Sequence, residues 1–227
     1  MEPLMHPPKF EANGDNGERP RESNRFARAQ VDAVILDLGN VLVFHDNAQL
    51  FQTFGGLVGM DGEEVARSVP PTLWNAIHLG QLDRAGIRRE VCRALKLELG
   101  EDEFCRVWNS HFTPNHAVLP WVESLIGRVK LVLLSNTNPI HMEYLIGVLP
   151  VLRRFDHLVL SHELKKMKPD PAIFAHVLRL AGSDPARTAF FDDLPHFVEA
   201  AKRVGIRAFL FTGADEFAAQ LGELGLR

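Results

Sequence analysis

Two kinds of hydrophobic spacing divide this chain. At residues 31–38, 130–134, 157–160, 188–191 and 207–211 the apolar positions run nearly unbroken for a few residues, as in strands buried on both faces. Between the later runs, at 141–149, 172–180 and 197–204, they recur at helical spacing. Pro139, Pro171 and Pro195 stand where these helices begin, and proline suits a first turn because its missing N–H has no intrahelical partner there. Strand alternating with helix predicts an α/β fold: a three-layer, Rossmann-like parallel sheet with helices on both faces.

A different pattern fills residues 47–117, where the spacing is helical throughout. Ile87, Val91 and Leu95 form one apolar face, and Phe104, Val107, Trp108 and Phe112 another. Asp61 with Glu64 reads as a capping box and Asp83 as an N-cap; Pro70, Pro71, Gly80 and Gly100 punctuate the segment. The expected organisation is therefore a core of residues 30–46 and 118–227 with a helical insert at 47–117. Residues 1–29 are rich in Pro, Gly, Asn, Glu and Arg and poor in large apolar groups, so a flexible tail is expected there.

Composition narrows the class. With 227 residues and 46% hydrophobic content the chain can bury a substantial core, and it has no apolar run of bilayer length. A formal net charge of −4 argues against nucleic acid or an anionic membrane as partner. Cys92 and Cys105 form no Cys-x-x-Cys or Cys/His cluster, so they read as buried thiols in a reducing compartment, and a cytoplasmic location is expected.

Candidate chemistry collects at the strand ends, because the crevice of an open α/β sheet lies beyond the carboxyl ends of its strands. The first run delivers Asp37 just before a Gly39-Asn40 turn; such a carboxylate can be a nucleophile, a metal ligand or an acceptor of backbone N–H bonds. The run at 130–134 delivers Ser135-Asn136-Thr137-Asn138, a hydroxyl and N–H groups that suit either a phosphate oxygen or a helix cap. Lys165, Lys166 and Lys168 follow the third run, and lysines there suit a phosphate or a solvated face. The fourth run ends in Asp192-Asp193, adjacent carboxylates that repel unless a cation lies between them and Asp37. A carboxylate, a hydroxyl cradle, a lysine and an acidic pair make up the inventory for magnesium-assisted phosphoryl transfer.

The order and spacing of these groups resemble the haloacid dehalogenase-like hydrolase superfamily over residues 31–212. The four motifs are Asp37-Leu38-Gly39-Asn40-Val41, Ser135-Asn136, Lys168-Pro169 and Asp192-Asp193. Their wording is most similar to the bacterial alpha-D-glucose-1-phosphate phosphatase branch. The resemblance implies that the insert is a four-helix-type cap and that Asp37 attacks phosphorus to form an aspartyl-phosphate. It implies that Ser135 and the Asn136 N–H hold phosphoryl oxygens while Lys168 balances charge. Mg2+ would be held by Asp37, the Gly39 carbonyl, Asp192 and Asp193, and the substrate would be a small phosphorylated metabolite such as a sugar phosphate.

Two positions depart from the superfamily pattern. Gly39 replaces the usual second Asp, which serves as general acid and base; His45 and Asp46 are possible substitutes but are expected on an exposed turn. Phe197 replaces a polar residue expected near the metal, which implies weaker metal affinity. Trp74, His78, Trp108 and Asn109 are candidate contacts to substrate from the insert, with packing as their alternative role. Two other functions fit parts of the pattern: a metal-independent dehalogenase, which the acidic pair disfavours, and a silent protein that binds a phosphorylated ligand.

Overall fold

The structure is a computed structural model that describes residues 31–227, so the tail expected at 1–29 lies outside the described residues. A five-stranded parallel sheet forms its centre, with strands β1 (Ala33–Leu36), β4 (Lys130–Ser135), β5 (His157–Leu160), β6 (Thr188–Asp192) and β7 (Arg207–Leu210) in the order β5-β4-β1-β6-β7. β1 pairs with β4 on one side and β6 on the other, which sets Leu36 beside both Leu133 and Phe191. The strand order reverses direction at β1, so the crevice of the sheet opens at its end.

The first apolar run is longer than its strand because the chain turns back after Leu36. The N–H groups of Leu42 and Val43 both donate to the Leu38 carbonyl, at 2.9 and 3.0 Å. The turn leads into β2 (Val43–His45), which pairs antiparallel with β3 (Phe112–Pro114), His45 opposite Phe112. Hydrophobic spacing did not foretell this ribbon, since three-residue strands are too short to show a period. Phe112, expected on a helical face, is a β3 residue instead.

Between β2 and β3 lie helices α1 (Asn47–Val58), α2 (Gly62–Ser68), α3 (Pro71–His78), α4 (Arg84–Leu95) and α5 (Glu101–Trp108), one more than a four-helix arrangement. Asp61 and Glu64 form the expected capping box, and the Asp83 side chain caps α4 through the Gly86 N–H at 2.7 Å. Leu50, Phe54, Ile87, Val91, Leu95, Phe104 and Trp108 close around a second core, which also takes in Ile140 from beyond the insert. Trp108 is fully buried and stacks on Trp74 and Phe104, each ring centroid 5.3 Å away, contacts worth about 0.5–1.5 kcal/mol each beyond area burial.

Alternate residues of β1 face opposite layers. Val34 and Leu36 pack toward α6 (Leu119–Leu125), α7 (Pro139–Val148) and α11 (Ala214–Glu223), whereas Ala33 and Ile35 pack toward α9 (Pro171–Ala181) and α10 (Pro195–Arg203). Proline occupies the first turn of α7, α9 and α10 as expected.

The insert rests on the core through α7, where Trp108 stacks on His141 at 5.4 Å, and through α8 (Ser161–Leu164), the short helix after β5. Ser161 Oγ accepts from the Thr137 N–H at 3.0 Å and donates to the His78 carbonyl at 2.7 Å, while Lys165 Nζ donates to the Gly80 carbonyl. Gly80, at φ +61°, permits this approach: a Cβ there would stand 2.0 Å from the His162 carbonyl oxygen. Both cysteines are free, but Cys105 is half-buried rather than buried. No helix of the described residues is long and apolar enough to cross a membrane.

Candidate active site

Asp37 follows β1 directly, and its N–H still donates to Phe191 O at 3.0 Å, so the residue is aimed by the sheet itself. In register it stands level with Leu134 of β4 and Asp192 of β6, and β4 ends one residue further on, at Ser135. Asp37, Ser135 and Asp192 are all buried. Lys168 arrives from the segment before α9, and Asn136 holds it there: the Asn136 amide accepts from the Lys168 N–H at 2.9 Å and donates to its carbonyl at 3.0 Å. The Asn136 side chain therefore serves as a clamp.

Lys168, only 2% exposed, donates to Asp37 Oδ1 at 2.7 Å and to Asp192 Oδ2 at 2.5 Å. Burial alone would depress its ammonium, but the two carboxylates outweigh burial and hold it above its ordinary value. Burial pushes the Asp37 carboxyl up to about 6; Lys168 opposes that rise and Asp192 adds to it. Asp193 accepts from the Asn40 amide at 2.9 Å, and Asp192 Oδ1 accepts from the Leu194 N–H at 2.9 Å.

Asp37, Asp192 and Asp193 each present an oxygen within 4.8 Å of the others. Three carboxylates against one ammonium leave an excess of negative charge, and an all-oxygen donor set of this kind fits a hard divalent cation such as Mg2+. The Phe197 ring lies 4.9 Å from Lys168 Nζ, so it offers an aromatic face to the ammonium and no ligand oxygen.

A cavity of about 490 Å³ opens above these groups. Asp37, Gly39, Ser135, Asn136, Lys168 and Asp193 line its floor; the rings of His45, His78, His111, His141, Trp74 and Phe112 line the wall. Of the insert residues proposed from sequence, Trp74 and His78 reach the cavity, whereas Trp108 is core and Asn109 bonds the Cys105 carbonyl at 2.8 Å. Asp46 caps α1 on the surface, but His45, expected on an exposed turn, is half-buried in β2 and lines the cavity. His111 and His141 were missed, because they sit on separate elements and no spacing along the chain marks them as partners.

These two rings give the site a pH-dependent stability. Burial holds His111 down to about 4 and His141 well below its ordinary value, with neighbouring histidines adding to both shifts. The unfolded chain binds these protons more readily than the folded one, so their contribution is complete above about pH 6.5 and is lost as the pH falls below it. The loss should approach about 1.4 kcal/mol per pH unit for each ring. Urea midpoints should fall between pH 7.5 and pH 5, and His141→Gln should flatten that fall; an equal slope in the variant would refute the assignment.

Comparison with known proteins agrees with this geometry. The family model described as haloacid dehalogenase-like hydrolase matches residues 31–205. The D-ribitol-5-phosphate phosphatase of Bacteroides thetaiotaomicron is 27% identical over 186 residues, 78% of this chain and 89% of that protein. A HAD family enzyme of the same organism, solved in complex with magnesium and inorganic phosphate, superposes with a TM-score of 0.74 at 25% identity, covering 81% of this chain and 95% of its own. An L-2-haloacid dehalogenase of Xanthobacter autotrophicus shares the fold at a TM-score of 0.58 and 20% identity, covering 85% and 83%. The chain belongs to the haloacid dehalogenase-like hydrolases.

Proposed function

We propose that the protein is a magnesium-dependent phosphatase of a small sugar or polyol phosphate, working through an aspartyl-phosphate on Asp37. The observation that carries this reading is the floor of the cavity: a buried carboxylate with one oxygen bound to Lys168 and two further carboxylates within 4.8 Å. Lys168 fixes Asp37 through Oδ1, which leaves Oδ2 to attack phosphorus. Ser135 and the Asn136 N–H hold the phosphoryl oxygens, and Lys168 offsets part of their charge. Asp37, the Gly39 carbonyl, Asp192 and Asp193 would hold Mg2+, which would supply positive charge to offset the repulsion between carboxylate and phosphate.

The cavity wall supports the substrate class. His111 and His141 place imidazole rings in the cavity wall, polar groups suited to substrate hydroxyls. Trp74 offers an apolar ring surface beside them.

Phosphate release from a panel of sugar and polyol phosphates and from an aryl phosphate, with magnesium and with chelator, tests the reading. Release should fall roughly 100-fold or more in chelator, in line with the several kcal/mol that a metal contributes to such a transition state. Turnover of haloacids in chelator would favour a dehalogenase. A ligand-induced rise in melting temperature with no release from any ester would favour a binding protein.

A further inference from the structure

We propose that His45 is the proton-transfer residue of this site, donating to the leaving oxygen and then accepting from the attacking water. The inference rests on the phosphatase reading and extends it to a residue of the connecting ribbon. A methyl group built on Gly39 would lie 2.9 Å from both Cδ2 and Nε2 of His45 and 3.8 Å from Asp37 Oδ2. The Nε2 edge of the imidazole and the attacking oxygen thus both lie within 4 Å of one point above position 39, and the ring can sit there only because glycine has no side chain.

The ring is held there by more than one element. The His45 N–H donates to Asn40 Oδ1 at 3.3 Å, and the Asn40 amide in turn donates to Asp193. Pairing with Phe112 fixes the strand, and the imidazole meets the Phe112 and His111 rings edge-on at 6.3 Å. Other candidates on the floor are committed. Lys168 is pinned between two carboxylates, Asp192 is bound to Lys168 and the Leu194 N–H, and Asp193 accepts from Asn40. On the wall, His141 is buried and its Nδ1 is held by the Asn138 amide at 2.9 Å.

In the first step Asp37 Oδ2 bonds to phosphorus, the bond from phosphorus to the leaving oxygen breaks, and that oxygen takes the proton from imidazolium Nε2, leaving as an alcohol. In the second a water oxygen bonds to phosphorus, its proton passes to the now neutral Nε2, and the phosphorus–Asp37 bond breaks. Carboxylate and imidazolium are both restored, and inorganic phosphate departs.

The test compares His45→Gln with wild type on a polyol phosphate and on a nitrophenyl phosphate, in magnesium. General acid help is worth about 10²–10⁴ in rate and matters least when the leaving group is a weak base. The variant should therefore lose about 10²-fold or more in kcat/KM on the polyol ester. On the aryl ester its first turnover should be little changed, and a burst of nitrophenol should appear because water attack on the intermediate is now slow. Gly39→Ala, whose new methyl would displace the ring, should give the same leaving-group-selective loss with His45 present. Equal losses on both esters, with no burst, would overturn the proposal while leaving the phosphatase reading intact. No release by wild type from either ester would overturn both.

Discussion

Replacing Asp37 with asparagine is expected to abolish phosphate release while leaving the fold intact. An amide cannot take the part of an attacking carboxylate, and loss of a covalent nucleophile costs on the order of 10⁴–10⁶ in kcat where it has been removed from other hydrolases. The fold should survive for reasons visible in the site. Asp37 pays a burial penalty as a carboxylate, seen in its pKa of about 6, and a neutral amide of the same size escapes that penalty. Lys168 keeps Asp192 as its partner at 2.5 Å, so the ammonium is not stranded. The melting temperature should then stay within a few degrees of wild type, at about 2–4 °C per kcal/mol for a chain of this size. Substantial release by the folded variant, say a tenth of the wild-type rate, would show that Asp37 is not the nucleophile.

Much of the fold and floor of this site could be read in the sequence because strand runs and strand ends are local features. Each of the five parallel strands falls within two residues of an apolar run, and the topology carries the residue that follows each run to a common edge. Asp37, Ser135 and Asp192 meet there for that reason, and Lys168 joins them through the Asn136 clamp. The wall was far less legible. His45 lies in a three-residue strand whose partner is 67 positions away, and only that pairing turns it from a surface residue into a cavity residue. His111 and His141 meet at 5.5 Å only after β3 and α7 have packed. The direction of the Phe197 ring follows from α10 packing on the sheet, and its approach to Lys168 is likewise invisible in the sequence.

Removal of the ammonium should have the largest effect on stability. Lys168→Met keeps the apolar stem against Phe190 and Phe197, whose centroids lie 5.6 and 4.9 Å from Nζ, and deletes only the charge. Two buried carboxylates, Asp37 and Asp192, would then face each other without the cation that joins them. Breaking a buried pair by removing one partner costs about 3–5 kcal/mol, a large share of the roughly 5–15 kcal/mol that separates folded from unfolded domains. In chelator the variant should unfold at clearly lower urea than wild type, and acidification should narrow the gap. The sign follows from Asp37: its carboxyl already lies at about 6 when folded, and without Lys168, which opposes that rise, it should lie higher still. A carboxyl whose pKa is raised by folding binds protons more tightly in the folded state, so stability grows as the pH falls through that value toward the ordinary carboxylate range. Magnesium should narrow the gap as well, since a dication between Asp37 and Asp192 replaces the lost charge. A Lys168→Met protein as stable as wild type in chelator at pH 7.5 would mean that the carboxylates find another cation or water, and that the buried ion pair does not hold this edge of the sheet together.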